Sequence, residues 1–480
     1  MKTSALKKII ASIFVTGLLV TSVILLINIY KLNILQTSYL VIVIIVISIL
    51  DALCSFILLN NKTNTIVKII FYIISIILIG GYIFINKYVK SSITFIEEIT
   101  AAPETTQIHY DVLIPSNKQT QSICQYSGAK IGFLSTDINK EKANQGLKNN
   151  INCIIETQEY DNIGTLIAAV GEEIEAIVLE KSYIELLEEN DVPFYAESQV
   201  IYSYDIEVPL ELETGKLCNV LEEPYVIYIS GSDSRGTVRD VARSDTNIVA
   251  IINPNTHKIL LVTIPRDYYV QLHGTTGVKD KLTHAGVYGI NMSINTIEDL
   301  LDVKINYYIR ASFDALINGV DAIDGIEIYS DQEFTPSHYK KTCHFVQGTQ
   351  HVDGTCAFAF ASERYAYNSG DRHRGQNQQT VLTAIIDKVS NNPKYLVRYS
   401  SILSSLEKTF ITNLPYEEIT SIIKEQLSSL NKWEVESISL DGTGQYNVTY
   451  SMGNMQLYVM VPNETTVNNA KNKINEYLKQ

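Results

Sequence analysis

Arginine and aspartate occur together in a few short stretches of a chain whose formal net charge is −14. The first, "GSDSRGTVRDVARSDTN" (Gly231–Asn247), sets Asp233, Arg235, Arg243 and Asp245 close in sequence. The second, "TIPRDYYV", puts Arg266 and Asp267 just after an apolar run. The third, "GVKDKLTHAG", holds Lys279, Lys281 and His284, and the fourth, "ERYAYNSGDRHRGQNQQ", holds Arg364, Asp371, Arg372, Arg374 and Gln378. All nine arginines of the 480 residues fall between Arg235 and Arg398, whereas lysine runs the whole length. Lysine therefore supplies the generic positive surface. Arginine is kept for one region, where its planar, permanently charged fork suits bidentate phosphate recognition. Biased codon usage would thin arginine everywhere without clustering what remains.

The chemistry these residue types suit is phosphoryl transfer. A pyrophosphate carries several negative oxygens, and more charge moves to the leaving side in the transition state. Positioned arginines and a divalent cation stabilise that charge. Two aspartates can hold magnesium, which keeps several waters and takes only one or two carboxylates plus phosphate oxygens. There is no Walker loop and no dinucleotide fingerprint, so the donor need not be a nucleotide. A plainer reading stands beside this one: Ser-Asp-Ser around Asp233 and Ser-Asp-Thr around Asp245 are also good capping sequences. Arg239 reads as a solvated helix-face residue, and Arg310 and Arg398 as packing or ion-pair residues. His284 and His373 do not form a pair at metal-ligand spacing.

The elements that must position these residues read as α/β. "YVIYIS" is a strand that ends at the first polar stretch, and "TNIVAIINPNTHKILLVTIP" is a hairpin about Asn253-Pro254-Asn255. "GVYGINMSINTIEDLLDV" is an amphipathic helix, "INYYIRAS" a strand, "FDALINGVDAI" a helix and "GIEIYS" a strand. "GTCAFAFASERYAY" and "GQNQQTVLTAIIDKVS" are two helices on either side of a polar loop. Most of the polar stretches thus lie at strand or helix ends, where α/β domains place their sites. Beyond Asn391 come helical stretches including "PYEEITSIIKEQLSSL", the strands "KWEVESISL" and "NMQLYVMVP", and a last amphipathic helix.

Upstream the composition changes. Ile9–Tyr30, Thr37–Leu59 and Ile69–Asn86 are apolar runs, each close to or above the length a membrane-spanning helix needs, about 20 residues. Lys2, Lys7 and Lys8 precede the first, favouring a cytoplasmic N-terminus, so three crossings place the rest outside the cytoplasm. Asp51 interrupts the second run; an intramembrane acid is a functional candidate, with packing against a neighbouring helix as the competing reading. Residues 91–217 alternate strands ("AKIGFLST", "EAIVLE") with helices ("KSYIELLEEN") but contain no arginine and no phosphate loop, which leaves a binding or spacer role. Of six cysteines, Cys124 with Cys153 and Cys343 with Cys356 could pair in an oxidising compartment; free buried thiols are the default reading. The acidic balance argues against nucleic acid as a partner. The organisation expected is a membrane segment (1–90), an accessory α/β domain (91–217), the arginine-bearing domain (218–391) and a C-terminal α/β extension packed on it (392–480).

The motifs "GSDSRG", "RSDTNIVAIINP", "ILLVTIPRD", "DKLTHA", "VDAIDGIEIY" and "GDRHRGQNQQ", in that order from about Tyr225 to Val389, resemble the LytR–CpsA–Psr family. The membrane runs and intervening α/β segment resemble its capsule-cluster members. The resemblance implies an α/β fold with a central mixed β-sheet flanked by helices, preceded by three transmembrane helices and a smaller α/β accessory domain. It also implies a multi-pass protein of a Gram-positive cell membrane, with its large C-terminal part extracytoplasmic. There it would be a phosphotransferase moving capsular polysaccharide from a polyprenyl pyrophosphate carrier to peptidoglycan, in contact with capsule-assembly membrane proteins. Carried over by motif, Asp233 and Asp245 hold Mg2+, and Arg243, Arg266, Arg364 and Arg374 grip the pyrophosphate. Arg235, Lys281, Asp371 and Gln378 complete the site, Asp371 being the candidate base. Ser362 and Asn377 stand where the family usually has arginines. The alternatives are a non-catalytic membrane regulator of capsule assembly that binds the lipid-linked glycan, and a pyrophosphatase acting on the same lipid with water as acceptor.

Overall fold

Helices α1 (Lys2–Leu32), α2 (Thr37–Leu59) and α3 (Thr65–Thr100) of this computed structural model follow the three apolar runs and lengthen the first and third at both ends. The structure describes residues 2–100, 105–118, 122–126, 128, 130–209, 218–232, 238, 242–339, 342–368, 370–398, 402, 404–406 and 408–479. All three helices are long and apolar enough to cross a membrane. Leu18, Leu25, Ile47, Cys54 and Tyr82 pack between them, while isoleucines and valines on the outer faces stay exposed. Asp51 is buried there and accepts a hydrogen bond from Tyr82 Oη at 3.2 Å. Asn28 donates to Asn86 across α1 and α3 at 2.7 Å. These contacts are those of the packing reading of Asp51. Past the membrane run, α3 buries Ile96 among Leu406, Phe410, Tyr416 and Ile419. Tyr416 Oη also donates to the carbonyl of Lys31 at 3.4 Å, so the C-terminal ends of α1 and α3 meet the same helix, Tyr416–Ser429.

Strands β1 (Thr105–Pro115), β2 (Lys130–Leu134), β3 (Glu156–Tyr160), β4 (Ala176–Glu180) and β5 (Ser198–Pro209) form a sheet in the order β3-β2-β4-β1-β5. β2 runs parallel to β3 and β4, and β1 antiparallel to β4 and β5. β2 and β4 are apolar almost throughout because both faces of the sheet are covered. The helix Lys140–Asn150 covers one face through Ala143 and Leu147. The other face carries the helices Ile163–Ala168 and Lys181–Glu189, and its apolar cluster continues into Leu272, Val287, Tyr288, Met452 and Leu457 of the later chain. Tyr183 and Tyr288 meet edge to face at 6.2 Å. At Gly453, where φ is +66°, a Cβ would lie 2.1 Å from Asn162 Oδ1, so only glycine lets that turn pass the start of the helix.

β6 (Tyr225–Ser232), β7 (Ser244–Asn253) and β8 (Lys258–Thr263) make an antiparallel meander. A short ladder follows, β9 (Tyr269–Val270) with β10 (Asp280–Lys281). β11 (Tyr307–Ala311) returns to lie parallel to β6. β12 (Ile326–Ser330) pairs with β13 (Gly348–Val352) in a separate ribbon. β14 (Phe410–Thr412) and β15 (Glu434–Ser439) complete a mixed six-stranded sheet, ordered β14-β11-β6-β7-β8-β15. Its two faces alternate along each strand. Val249, Ile251, Leu260 and Val262 meet the helices Ile290–Leu301 and Glu464–Lys479; Ile248, Ala250, Ile259 and Leu261 meet Leu382 and Ile386 of the helix Asp371–Ser390. β16 (Gly442–Thr449) and β17 (Gly453–Pro462) form a hairpin. β16 escapes the sequence reading because "GTGQYNVT" is polar and largely solvent-facing.

Two expectations are corrected. Cys124 and Cys153 are bridged, as are Cys343 and Cys356, with Cα atoms 5.5 Å apart in each pair, so the free-thiol default holds only for Cys54 and Cys218. The polar run read as a loop is helical from Asp371. An acidic first residue suits a helix N-terminus, and the Arg, His and Gln that follow do not oppose a helix.

Candidate active site

β7 begins and β8 ends at the same edge of the meander. Continuing their register from Ile248 opposite Thr263 brings Asp245 opposite Arg266. Ile264 N–H still donates to the carbonyl of Asn247 at 2.9 Å, which holds that register past the end of β8. Arg266 Nη1 accordingly donates to Asp245 Oδ1 at 3.0 Å. The helix Asp371–Ser390 points its N-terminus at this pair; a Cβ on Gly375 would already touch Thr263 Cγ2 at 3.0 Å. Asp371 and Arg374 lie one turn apart and pair at 2.6 Å, with Asp371 4.0 Å from Arg266 Nε. Arg374 also reaches the carbonyl of Asp245, at 3.4 Å. Lys281, on β10, joins through Asp267, which lies 3.3 Å from its Nζ and 3.8 Å from Arg266 Nε.

The cluster is nearly dry, with Arg243 and Arg374 less than a tenth exposed. Burial works against the charge of Asp245, but the guanidiniums of Arg266, Arg374 and Arg243 outweigh it and lower its pKa to about 2. Asp245 is therefore ionised at any physiological pH. Burial likewise works against Arg266, and Asp245 and Glu189 together raise its pKa. Thr283 Oγ1 donates to Asp245 at 3.4 Å.

Asp245, Arg266, Asp371, Arg374 and Gln378 line one narrow cleft. It opens on one side into a cavity of about 660 Å³ that shares Asp245, Arg374 and Gln378 and is walled by Phe313, Tyr339, Phe358, Ser362 and Arg364. On the other side lies a groove of about 770 Å³, reached past Arg372 and Ser439. The structure thus gathers Arg243, Asp245, Arg266, Asp371, Arg374 and Gln378, attaches Lys281 through Asp267, and puts Arg364 in the wall of the 660 Å³ cavity. Asp233, Arg235 and Arg239 lie outside the described residues. Arg372 pairs with Asp441 at 2.8 Å, and Arg398 with Asp324 at 3.4 Å. Arg310 is fully buried and donates to the carbonyl of Ala242. His284 is a buried tie to Asp280 and Ser451, and His373 stacks on Tyr367.

Sequence reasoning missed two carboxylates. Glu189, at the end of the helix Lys181–Glu189, ion-pairs with Arg243 and lies 2.9 Å from Arg266 Nη1. The segment read as carrying no chemistry therefore places a residue in the cluster. It sits 54 residues from Arg243, and nothing local marks it. Glu363 accepts backbone N–H groups of Arg364, Tyr365 and Ala366 at 3.0, 2.6 and 2.9 Å, fixing the turn that carries Arg364. Its place directly before Arg364 was the available signal.

Among the described residues no group of three His, Cys, Asp or Glu side chains could enclose a metal ion. Magnesium does not need such a cage: an ionised Asp245 at the wall of a narrow polar cleft fits it, because phosphate oxygens and water complete the shell.

The LytR_cpsA_psr family profile matches residues 203–475. A polyisoprenyl-teichoic acid–peptidoglycan teichoic acid transferase TagU of Bacillus mycoides is 34% identical over 48% of this chain and 73% of its own length. The protein of the same name from Enterococcus faecalis is 31% identical over 53% of this chain and 81% of its own. The crystal structure of B. subtilis TagV is 25% identical and covers 54% of this chain and 98% of its own, with a TM-score of 0.46. With more than half its length matched, and its arginines and aspartates gathered at one edge of one sheet, the chain belongs to the LytR_cpsA_psr family.

Proposed function

We propose that this chain transfers a glycan polymer from a polyprenyl pyrophosphate carrier to a hydroxyl of peptidoglycan on the outer face of a Gram-positive cell membrane. The observation that carries the reading is the dry cluster in which an ionised Asp245 lies among Arg266, Arg374 and Arg243 at the N-terminus of a long helix. Fixed cations and a helix dipole favour the developing charge of a phosphoryl transfer and cost no reorganisation at the moment of reaction. The acceptor oxygen bonds to the glycan-side phosphorus as its bond to the polyprenyl phosphate breaks. Asp371, 2.6 Å from Arg374, is placed to take the hydroxyl proton. Arg266, Arg243 and Arg374 hold the phosphate oxygens. Asp245, with Asp233, would hold Mg2+, which would further neutralise the leaving charge.

The teichoic acid transferases named above support the polymer-to-peptidoglycan reading; a capsular polysaccharide is our finer proposal for the polymer. Asn377 does not weaken it. This residue is buried and donates to the carbonyl of Phe360 at 3.0 Å, so its side chain serves helix packing rather than the cleft. In sequence order, Lys2, Lys7, Lys8, Lys62 and Lys68 fall at one end of the three-helix segment and only Lys31, Lys87 and Lys90 at the other, where the C-terminal ends of α1 and α3 meet the soluble part. That charge asymmetry and the two disulfides favour an extracytoplasmic catalytic part.

The test is transfer by the purified full chain in detergent, with Mg2+, from lipid-linked polysaccharide to peptidoglycan fragments. Asp245→Ala and Arg266→Ala are expected to slow it by about 10² or more. Absence of transfer, or equal rates in the variants, overturns the proposal.

A further inference from the structure

We infer that Glu189 is the resident counter-anion of the phosphate-binding arginines, so that the smaller α/β unit sets how tightly the larger one holds a diphosphate. The inference deepens the function proposed above and rests on it for the identity of the natural ligand. Glu189 is a positioning residue: it acts through Arg243 and Arg266.

The geometry is that of a ligand mimic. One oxygen of Glu189 pairs with Arg243 and the other lies 2.9 Å from Arg266 Nη1, so a single carboxylate bridges two guanidiniums. A phosphate presents the same kind of oxygen pair to the same forks. Among the described residues, Glu189, Asp245, Asp267 and Asp371 face Arg243, Arg266, Arg374 and Lys281, four charges against four. Loss of the Glu189 charge leaves Arg243 and Arg266 with one counter-anion fewer. Both arginines depress the carboxyl of Glu189 despite its burial, so it stays charged.

Arg266 does not depend on Glu189 for its position. Asp245 holds it at 3.0 Å, with Asp267 and Asp371 at 3.8 and 4.0 Å. Removing the Glu189 charge therefore frees donor capacity on an arginine that stays where it is. A role in merely supporting the arginines would give the opposite sign, with weaker anion binding on removal. The helix that carries Glu189 is not an incidental neighbour, because Tyr183, Ile184, Leu186 and Leu187 anchor it in the cluster shared with Val287 and Tyr288. Its carboxylate is aimed by the same packing that joins the two units.

The experiment is titration calorimetry of inorganic pyrophosphate with the full chain in detergent micelles, at fixed ionic strength, without and with Mg2+. Glu189→Gln keeps the shape and removes the charge; it is expected to bind about tenfold tighter, roughly the effect of removing 1.4 kcal/mol of repulsion. Glu189→Asp should return binding toward that of the unaltered chain. Glu188→Gln, on the exposed neighbour, should leave binding and melting temperature unchanged. Equal or weaker binding by Glu189→Gln overturns the inference. Should that variant unfold, Glu189→Ala is read in the same way, and if it too unfolds the residue is structural and the inference falls. A chain that binds pyrophosphate as expected but transfers no polymer would sink the proposed function and leave this inference standing.

Discussion

The two α/β units bury their sheets in different ways. The six-stranded sheet is covered on both faces mainly by elements that follow β6, and its charged cluster lies at one edge. The five-stranded sheet covers one face with the helix Lys140–Asn150; the core on its other face is shared with Tyr288, Met452 and Leu457 of the later chain. The first arrangement makes a site, and the second makes a wall for it. A unit without arginine thus reaches the arginine cluster through packing, and a reading by residue type alone assigns it no part.

Tyr288→Ala is the strongest way to break that comparison. The ring packs against Tyr183 at 6.2 Å and Tyr450 at 6.3 Å, in the shared core. Truncating a buried aromatic costs about 3 kcal/mol or more. Calorimetry should show the five-stranded unit losing cooperativity with the rest, as a single transition splits or broadens. If both units still melt together at an unchanged temperature, the shared core is not what couples them.

The disulfides sharpen the comparison at comparable cost. They close loops of 29 and 13 residues, worth about 3.6 and about 2.9 kcal/mol respectively on a loop-entropy estimate. Cys124–Cys153 lies in the smaller unit. Cys343–Cys356 ties the start of the helix Gly354–Ser362, which brings Phe358 and Ser362 to the 660 Å³ cavity. Double alanine variants of either pair should lower the melting temperature, but only loss of Cys343–Cys356 should also weaken pyrophosphate binding. Equal effects of the two pairs on binding would contradict a site built on the larger unit and reached by Glu189 from the smaller one.

Much of this was legible in advance, for a physical reason. β6, β7 and β8 are covered on both faces and so appear as apolar runs, and phosphate chemistry needs arginine, whose clustering survives in one dimension. Asp245 and Arg266 could be read as partners because strand ends bring them together. Polar β16 left no apolar trace, and the start of the helix at Asp371 was hidden by charged residues that serve the site. Glu189 was invisible because its role exists only where surfaces far apart in sequence meet through a shared core. Which cysteines pair depends likewise on a Cα separation that spacing does not fix.

Glu363 offers the finest contrast, because it is a buried acid and Glu189 a half-buried one, and they govern arginines by opposite routes. Glu189 touches guanidiniums; Glu363 holds the backbone of Arg364, Tyr365 and Ala366, and Ser337 N–H at 2.5 Å, without using the Arg364 side chain. Burial opposes its charge, but those N–H groups, Ser337 first, outweigh burial and hold its pKa below the ordinary glutamate value. A depressed folded pKa means stability that is complete above the unfolded value of about 4.3 and lost as pH falls through the folded one. Glu363→Gln should therefore cost about 1–2 kcal/mol in denaturant titrations at pH 7, and the gap to the unaltered chain should close as pH drops below about 4. A gap that stays constant with pH would mean that the carboxylate charge does not hold the turn. The same variant should weaken pyrophosphate binding modestly, since Arg364 is then less firmly presented to the cavity, whereas Glu189→Gln should strengthen it. Two losses of one negative charge near one site would then move affinity in opposite directions, a result that net charge alone cannot produce.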